Sequence, residues 1–494
     1  MTESANRNRT YFRVRQFLAT FARRDSVQFS AGRLIPAFLG IASTPIVSRV
    51  LGPESYGYLA SVMAICGVAT AVLLGWCEPM AVREFSVPDH RAGAMRLRRC
   101  FGIVGAVAVL GAVIAIAVSI LSRSPMIAIA GAVSLVVGAT GLIVGVARGV
   151  GDARTFVVTA SLGIGGRALG GLTGVLVGFG VIGYFVGWLA VSTAAFIVGF
   201  LMLRLPVRFL RPRLPSMHEF RYAMPISGVA VSFLLLQVAD RITLLPIVGA
   251  ELVGIYTLGY SLTELGVSLA ASVLHARRFP LLIAQWEGDR DEGLHNLRKN
   301  ISIAVTIPLA LAPILLVYGN TGLMLLGGDR FAASSTWFLV LISIGLAWCG
   351  AAQWLSVDLQ ESRSTARWLY AIVLGVLANV VLVYVFAPLI GINAGGVATL
   401  GSYAIMCVAV VILSGERRMW STLVEGALPA TAACISGISA TCLVSASNPI
   451  IRVLCGVISF AVVHLLMSLG ALRRREKLKL SIAKIDTSES NRNV

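Results

Sequence analysis

Five charged side chains lie in surroundings that are otherwise almost wholly apolar: Arg33, Arg167, Asp240, Arg241 and Glu264. A charge at bilayer depth costs at least ~2.5–3.5 kcal/mol on insertion scales, so such residues pair up or face a water-lined cavity. Two chemistries are open to this set. The arginines present planar donor forks that match phosphates and carboxylates. Asp240 and Glu264 present carboxylates suited to coupling with H⁺ or Na⁺. Against both stands a structural alternative, in which the charges are interhelical ion pairs that hold a bundle together. Asp240 and Arg241, as chain neighbours, are open to that reading.

Spacing adds detail. Thr257, Ser261, Glu264, Ser268 and Ser272 recur at intervals of 4, 3, 4 and 4, which is one face of an α-helix and points to a water-lined stripe centred on Glu264. Gln237 and Arg241, four apart on the preceding segment, are placed to line the same cavity. Arg167 sits beside Gly166, Gly170, Gly174 and Gly178, a small-xxx-small seam that lets another helix approach closely. It lies ~100° around the helix from that seam, pointing beside the packed neighbour into open space. Gln353, Asp358 and Asn379 are weaker candidates, better explained by helix packing or a place at the membrane edge.

The elements that must position these residues are membrane helices. The chain of 494 residues is 57% hydrophobic and 13% charged, with a mean hydropathy of +0.84. That leaves too few charged residues to cover a soluble domain of this size. Stretches of about 20 apolar residues, enough to span a bilayer core, recur from end to end. Fourteen are predicted, near 29–49, 57–78, 101–121, 126–147, 156–178, 181–203, 224–248, 254–275, 301–318, 336–358, 367–388, 392–413, 422–444 and 450–472. The expected fold is an all-α polytopic membrane protein.

A duplication organises them. Gly52-Pro53-Glu54-Ser55-Tyr56-Gly57 follows the first apolar segment, and Gly249-Ala250-Glu251-Leu252-Val253-Gly254 follows the seventh. The pairs Gly52/Gly249, Glu54/Glu251 and Gly57/Gly254 share one offset. The reading is two six-helix lobes, 29–203 and 224–413, joined by a cytoplasmic hinge at 204–223. Helices within 422–472 form an appended pair, flanked by basic tails at 1–28 and 473–494. Six helices per lobe make the repeats parallel, as in the two halves of some transporters.

The net charge of +18 suggests nucleic acid until its placement is considered. Of the 41 Lys and Arg, 34 fall in the tails and the loops after even-numbered segments, four fall on the opposite side (Arg49, Arg123, Arg330, Arg452) and three lie within helices. That asymmetry predicts a multi-pass protein of the cell (cytoplasmic) membrane with both termini cytoplasmic, and no nucleic-acid partner. The stretch 276–300 reads as a long cytoplasmic connector, with a segment lying along the membrane face at Phe279–Trp286 as the alternative, and residues 1–28 lack a cleavable signal pattern. No spacing of His, Cys or Gly fits a zinc site, a disulfide framework or a Walker-type phosphate loop. The chain is therefore read as neither enzyme nor ATP-driven pump, with no cofactor or metal.

Three motifs carry a family resemblance. Arg49-Val50-Leu51-Gly52 through Tyr56-Gly57 resembles the turn after the first helix of the Wzx-type polysaccharide flippases, members of the MOP (MATE-like) superfamily. Asp240-Arg241 followed by Val253-Gly254-Ile255-Tyr256 resembles its second-half counterpart, and Leu389 through Thr399 is similar to the family's turn between helices 11 and 12. The resemblance implies a two-lobed alternating-access transporter that moves a polyprenyl-diphosphate-linked oligosaccharide to the outer leaflet. On that reading Arg33, Arg167, Arg241 and Gln237 meet the substrate, and Asp240 or Glu264 couples to an ion. The implied partners are the lipid-linked oligosaccharide, membrane lipids, and a polysaccharide polymerase or other assembly proteins. A MATE-type cation or drug antiporter, a lipid II flippase and a non-transporting scaffold of a polysaccharide assembly complex remain as alternatives.

Overall fold

The structure, a computed structural model, describes residues 2–85, 90–121, 123–204, 217–362, 364–444 and 448–490. Side chains are described between Phe38 and Gly470, apart from 83–84, 90–98, 164, 217–226, 266, 269, 272–273, 276, 280 and 365. The described residues form helices and no strand: α1 (Thr2–Leu74), α2 (Cys77–Phe85), α3 (His90–Leu121), α4 (Pro125–Gly149), α5 (Ala153–Gly174), α6 (Gly180–Met202) and α7 (Met217–Val248). They continue with α8 (Ala250–Gly288), α9 (Arg290–Gly327), α10 (Trp337–Leu355), α11 (Val357–Glu361), α12 (Thr365–Ile390), α13 (Asn393–Ser414), α14 (Arg417–Leu443) and α15 (Pro449–Ser490).

Helices satisfy their own backbone groups, which is what a lipid environment demands. Eleven stretches among the described residues are long and apolar enough to cross a membrane. Two of them, Phe38–Val82 and Ala153–Met202, are 45 and 50 residues long, enough for two crossings each at about 20 residues per crossing. The apolar surface is arranged for lipid. On α12, Leu374, Leu377, Val381 and Val385 are exposed along one helical face, a stripe that water would penalise and acyl chains accept.

The chain divides into two compact units, residues 1–235 and 236–494, so the division falls inside α7, downstream of the expected hinge at 204–223. In the first unit, Leu74, Cys77, Phe101, Leu142, Ile143 and Val146 form a core cluster where α1, α2, α3 and α4 meet. The glycine seam of α5 packs on α6. A Cβ at Gly170 would run into the Gly187 carbonyl and one at Gly174 into the Gly183 carbonyl, and the reverse holds for Gly187 and Gly183. The backbones therefore touch, as small-xxx-small packing requires. The expected fourth member, Gly178, is not part of that seam. It adopts φ 95° in a π-helical turn, Val175–Phe179, and a Cβ there would meet nothing within 4 Å.

The second unit is built around buried Tyr256, Tyr260, Phe338 and Tyr403. Its helix pairs repeat those of the first: α3 packs on α4, α4 on α6 and α5 on α6, while α9 packs on α10, α10 on α13 and α12 on α13. The backbone repeats as well. Gly52 has φ 74°, ψ 171° and Gly249 has φ 84°, ψ 165°, a conformation essentially restricted to glycine. A second pair is equally matched: Gly180 at φ 55°, ψ −137° and Gly391 at φ 56°, ψ −129°.

The stretch 276–300 differs from the expected connector. Helix α8 runs unbroken to Gly288, and α9 starts at Arg290 behind an Asp289 cap whose carboxylate accepts from the Asp291 and Glu292 amides. The apolar run Phe279–Trp286 explains the difference. Leu282 and Trp286, four apart, are buried, so one face of this extension has a core to join.

Candidate functional site

Arg167 is carried two-thirds of the way along α5, on a face left open by the glycine seam. It is exposed, and what it is exposed to is a cavity of about 300 Å³ inside the first unit. Helices α1, α2, α4, α5 and α6 contribute its polar lining: Thr70, Glu78, Thr140, Thr159, Arg167 and Trp188. Glu78 is already engaged, accepting from Arg148 at 2.6 Å. Arg167 makes no hydrogen bond or ion pair among the described residues. The Trp188 indole nitrogen, in the same wall, is buried without an acceptor among the described residues. A guanidinium and an indole N–H are donors only. The wall therefore offers donors that no described side chain answers, in an environment where a charge-assisted contact is strong.

The second unit holds the remaining intramembrane charges in a closed arrangement. Asp240 on α7 is 1% exposed. Its Oδ1 accepts the Arg241 backbone N–H at 2.7 Å. Its Oδ2 accepts the Tyr256 hydroxyl of α8 at 2.5 Å and the Thr399 hydroxyl of α13 at 3.2 Å. Tyr256 and Thr399 oxygens are themselves 3.1 Å apart. Arg241 stacks its guanidinium 4.6 Å from the centroid of the Tyr260 ring, and the Tyr260 hydroxyl lies 3.3 Å from that of Tyr403 on α13. The Arg241 Nε is buried with no hydrogen-bond partner among the described residues. Asp240 and Arg241 therefore do not close on each other side chain to side chain. Each is held from a neighbouring helix. Buried polar groups arranged this way are costly unless fully satisfied, and Asp240 is.

The structure thus splits the sequence-predicted residues between two places. Asp240, Arg241 and Glu264 fall in one neighbourhood of the second unit, with Glu264 among the charges that act on Arg241. Gln237 is half-buried one turn before Arg241. Arg167 stands in the first unit, and the Arg33 side chain lies outside the described residues. Of the motif positions, Gly52, Gly57 and Gly254 are buried, Gly249 is exposed, and Arg49, Glu54 and Glu251 are exposed at the turns. The stripe on α8 is only partly open: Thr257 is buried, Ser261 half-buried and Ser268 exposed, while Ser272 lies outside the described residues. Asn379 bonds the Ser402 hydroxyl at 3.4 Å between α12 and α13, as helix packing predicts. Asp358 pairs with Arg290 at 2.5 Å.

Sequence reasoning missed the tyrosines and the cavity wall. Tyr256 and Tyr260 precede Glu264 at intervals of four, a signal that was present but reads as apolar core. Trp188, Glu78 and Arg148 come together only through the fold, across 40 to 110 residues of chain, and left no local pattern.

Comparison with known structures defines the class first. The chain has the fold of the MOP-superfamily transporters. It is similar to a structure described as lipid II flippase MurJ in an inward closed conformation, at 12% identity, TM-score 0.64, covering 92% of this chain and 100% of that one. It is also similar to an inward-facing multidrug resistance MATE transporter of the MOP superfamily, at 16% identity, TM-score 0.56, covering 82% and 98%. A MATE crystal structure in the bent conformation matches at 18% identity and TM-score 0.51, covering 83% and 94%. No curated protein matches the chain. Residues 46–336 match the family model described as polysaccharide biosynthesis protein, and the chain belongs to that family. It is a multi-pass membrane protein.

Proposed function

We propose that this protein is a flippase that carries a polyprenyl-diphosphate-linked oligosaccharide from the cytoplasmic to the outer leaflet for surface polysaccharide biosynthesis. The two lobes alternate access, and the cation-rich face of the chain, with both termini, is cytoplasmic. The observation that carries the reading is Arg167, a cation within an apolar helix that faces a cavity and makes no ion pair among the described residues, the one carboxylate of that lining, Glu78, being taken by Arg148. A cation held at that depth without a partner is expected to receive an anionic cargo. The diphosphate and any acidic sugar are such anions, while the lipid tail stays in the bilayer. Arg33, Arg241 and Gln237 are assigned to the same substrate, and Asp240 or Glu264 to ion coupling.

Asp240 is the better of the two carboxylates for that role. It is buried and bonded to Tyr256 and Thr399 from two other helices. Protonation would remove the charge those hydroxyls hold and loosen α7 from α8 and α13. A polymerase and other assembly proteins are the expected partners downstream.

The test is Arg167→Ala in a cell that depends on the full-length protein, with protein level monitored. The expected result is loss of surface glycan, with a completed lipid-linked oligosaccharide accumulating on the cytoplasmic leaflet. Normal surface glycan accompanied by altered resistance to cationic drugs would favour the antiporter reading instead. A variant indistinguishable from wild type in both would leave the cavity without a transport role.

A further inference from the structure

Seven turns follow the odd-numbered segments predicted from the sequence. Five of them carry a charged side chain: Glu54, Arg123, Glu251, Asp329 and Arg452. The other two carry none. No Asp, Glu, Lys, Arg or His occurs from Ala168 to Leu203, across the α5–α6 turn, or from Trp368 to Gly415, across the α12–α13 turn. These are the equivalent turns of the two units, matched in backbone conformation at Gly180 and Gly391. We propose that both turns are lipid anchors, seated at the boundary between acyl chains and headgroups of the outer leaflet. The leaflet rests on the topology proposed above, but the contact with lipid does not.

What the turns expose is the first support. Val177 and Phe179, at the tip of the first, are each 70% exposed, and Leu389 of the second is 74% exposed. Large apolar side chains this open are penalised by water and accepted by acyl chains. The polar side chain beside the second tip is engaged within its own unit, Asn393 accepting from the Ser335 hydroxyl at 3.4 Å.

Continuity is the second support. Leu389 lies four residues beyond Val385, so it extends the exposed α12 stripe of Leu374, Leu377, Val381 and Val385 by one turn. Ile182 and Val186, four apart at the start of α6, carry the exposed apolar surface on from Phe179. The backbone suits the same surroundings. The Gly391, Ala394 and Gly395 amides donate to the Ala387, Gly391 and Ile392 carbonyls, leaving fewer groups for water to satisfy. Length sets the depth. Helix α12 has 26 residues, or ~39 Å at ~1.5 Å per residue, against a hydrocarbon core of ~30 Å. A helix that starts beside Arg367 at one face therefore ends at the opposite boundary, where apolar side chains enter by ~5–10 Å.

The experiment places p-benzoylphenylalanine at Val177, Phe179 or Leu389 of the full-length protein in proteoliposomes of phosphatidylethanolamine and phosphatidylglycerol, with Arg330 as the comparison. Irradiation should add the mass of one phospholipid at each tip position and not at Arg330. Adducts to a second protein molecule in place of lipid, or lipid adducts equally abundant at Arg330, would overturn the proposal. Cysteine labelling gives a second reading, with wild type setting the background from its own thiols. Phe179→Cys and Leu389→Cys should stay at that background when a membrane-impermeant maleimide is applied to either face, while Arg330→Cys labels from outside. Labelling of the tip cysteines at the Arg330→Cys rate would also overturn it. Labelling of Arg330→Cys from the cytoplasmic face alone would move the anchors to the other leaflet, contradicting the proposed topology and not the lipid contact.

Discussion

The two units treat an intramembrane arginine in opposite ways. In the first, Arg167 is exposed to a cavity, with no hydrogen bond or ion pair among the described residues. In the second, Arg241 lies over the Tyr260 ring beside a carboxylate that is satisfied from three helices. The units share helix packing and paired glycine conformations, so one scaffold has been given two electrostatic tasks. An open cation is available to cargo. A closed cluster is available to report a change of charge. The difference teaches that a charge in an apolar helix is not one signal but two, separated by whether neighbouring helices answer it.

Arg167→Ala probes that contrast most strongly. Truncating one partner of a desolvated charge contact costs ~2–5 kcal/mol, so translocation should fall by ~30-fold or more, while thermal stability in detergent stays near wild type. Arg167→Lys should restore part of the transport, because charge survives but the donor fork does not. Asp240→Asn comes next. It should abolish the dependence of transport on an ion gradient, measured with gradients imposed on proteoliposomes, and gradient dependence equal to wild type would remove Asp240 from coupling. Arg241→Ala should lower the unfolding temperature through lost packing over Tyr260, which Arg167→Ala should not, and should weaken cargo affinity less than Arg167→Ala does.

Gly52→Ala and Gly249→Ala test the repeat itself. Each forces a side chain into a conformation that costs ~1–3 kcal/mol, so the two should destabilise by similar amounts in matched unfolding assays. A large inequality would break the symmetry between units. The smallest effect is expected at Arg290, which joins Asp358 and Glu416 at 2.5 Å each and stacks 4.0 Å from the Trp286 ring centroid. Its side chain is 38% exposed, so Arg290→Ala should cost only ~1 kcal/mol, as partly solvated pairs do.

Much of this was legible in the chain. The all-helical apolar character, the turns at Gly52 and Gly249 and the Gly166–Gly174 seam are local patterns with a local cause, and the structure shows each of them, whereas the fourteen predicted spans appear as eleven stretches among the described residues. Gly178 misled because a four-residue interval says nothing of whether the helix continues, and the π-helical turn ends the α-helix before it. The match between Gly180 and Gly391 was hidden because Gly-Val-Ile-Gly and Gly-Ile-Asn-Ala share conformation more than identity. The 276–288 extension was read as a loop because its arginines outweighed the buried Leu282 and Trp286. The Asp240 partners could not be read at all. Thr399 is 159 residues away, and only the packing of α7, α8 and α13 brings it within reach.

The central claim is that Arg167 meets an anionic cargo. It is tested most directly by reconstituting wild type and Arg167→Ala into proteoliposomes and following movement of a polyprenyl-diphosphate oligosaccharide between leaflets. Transport by wild type, with a loss of ~30-fold or more in the variant at equal folded protein, is the predicted result. Equal rates in the two preparations would contradict it.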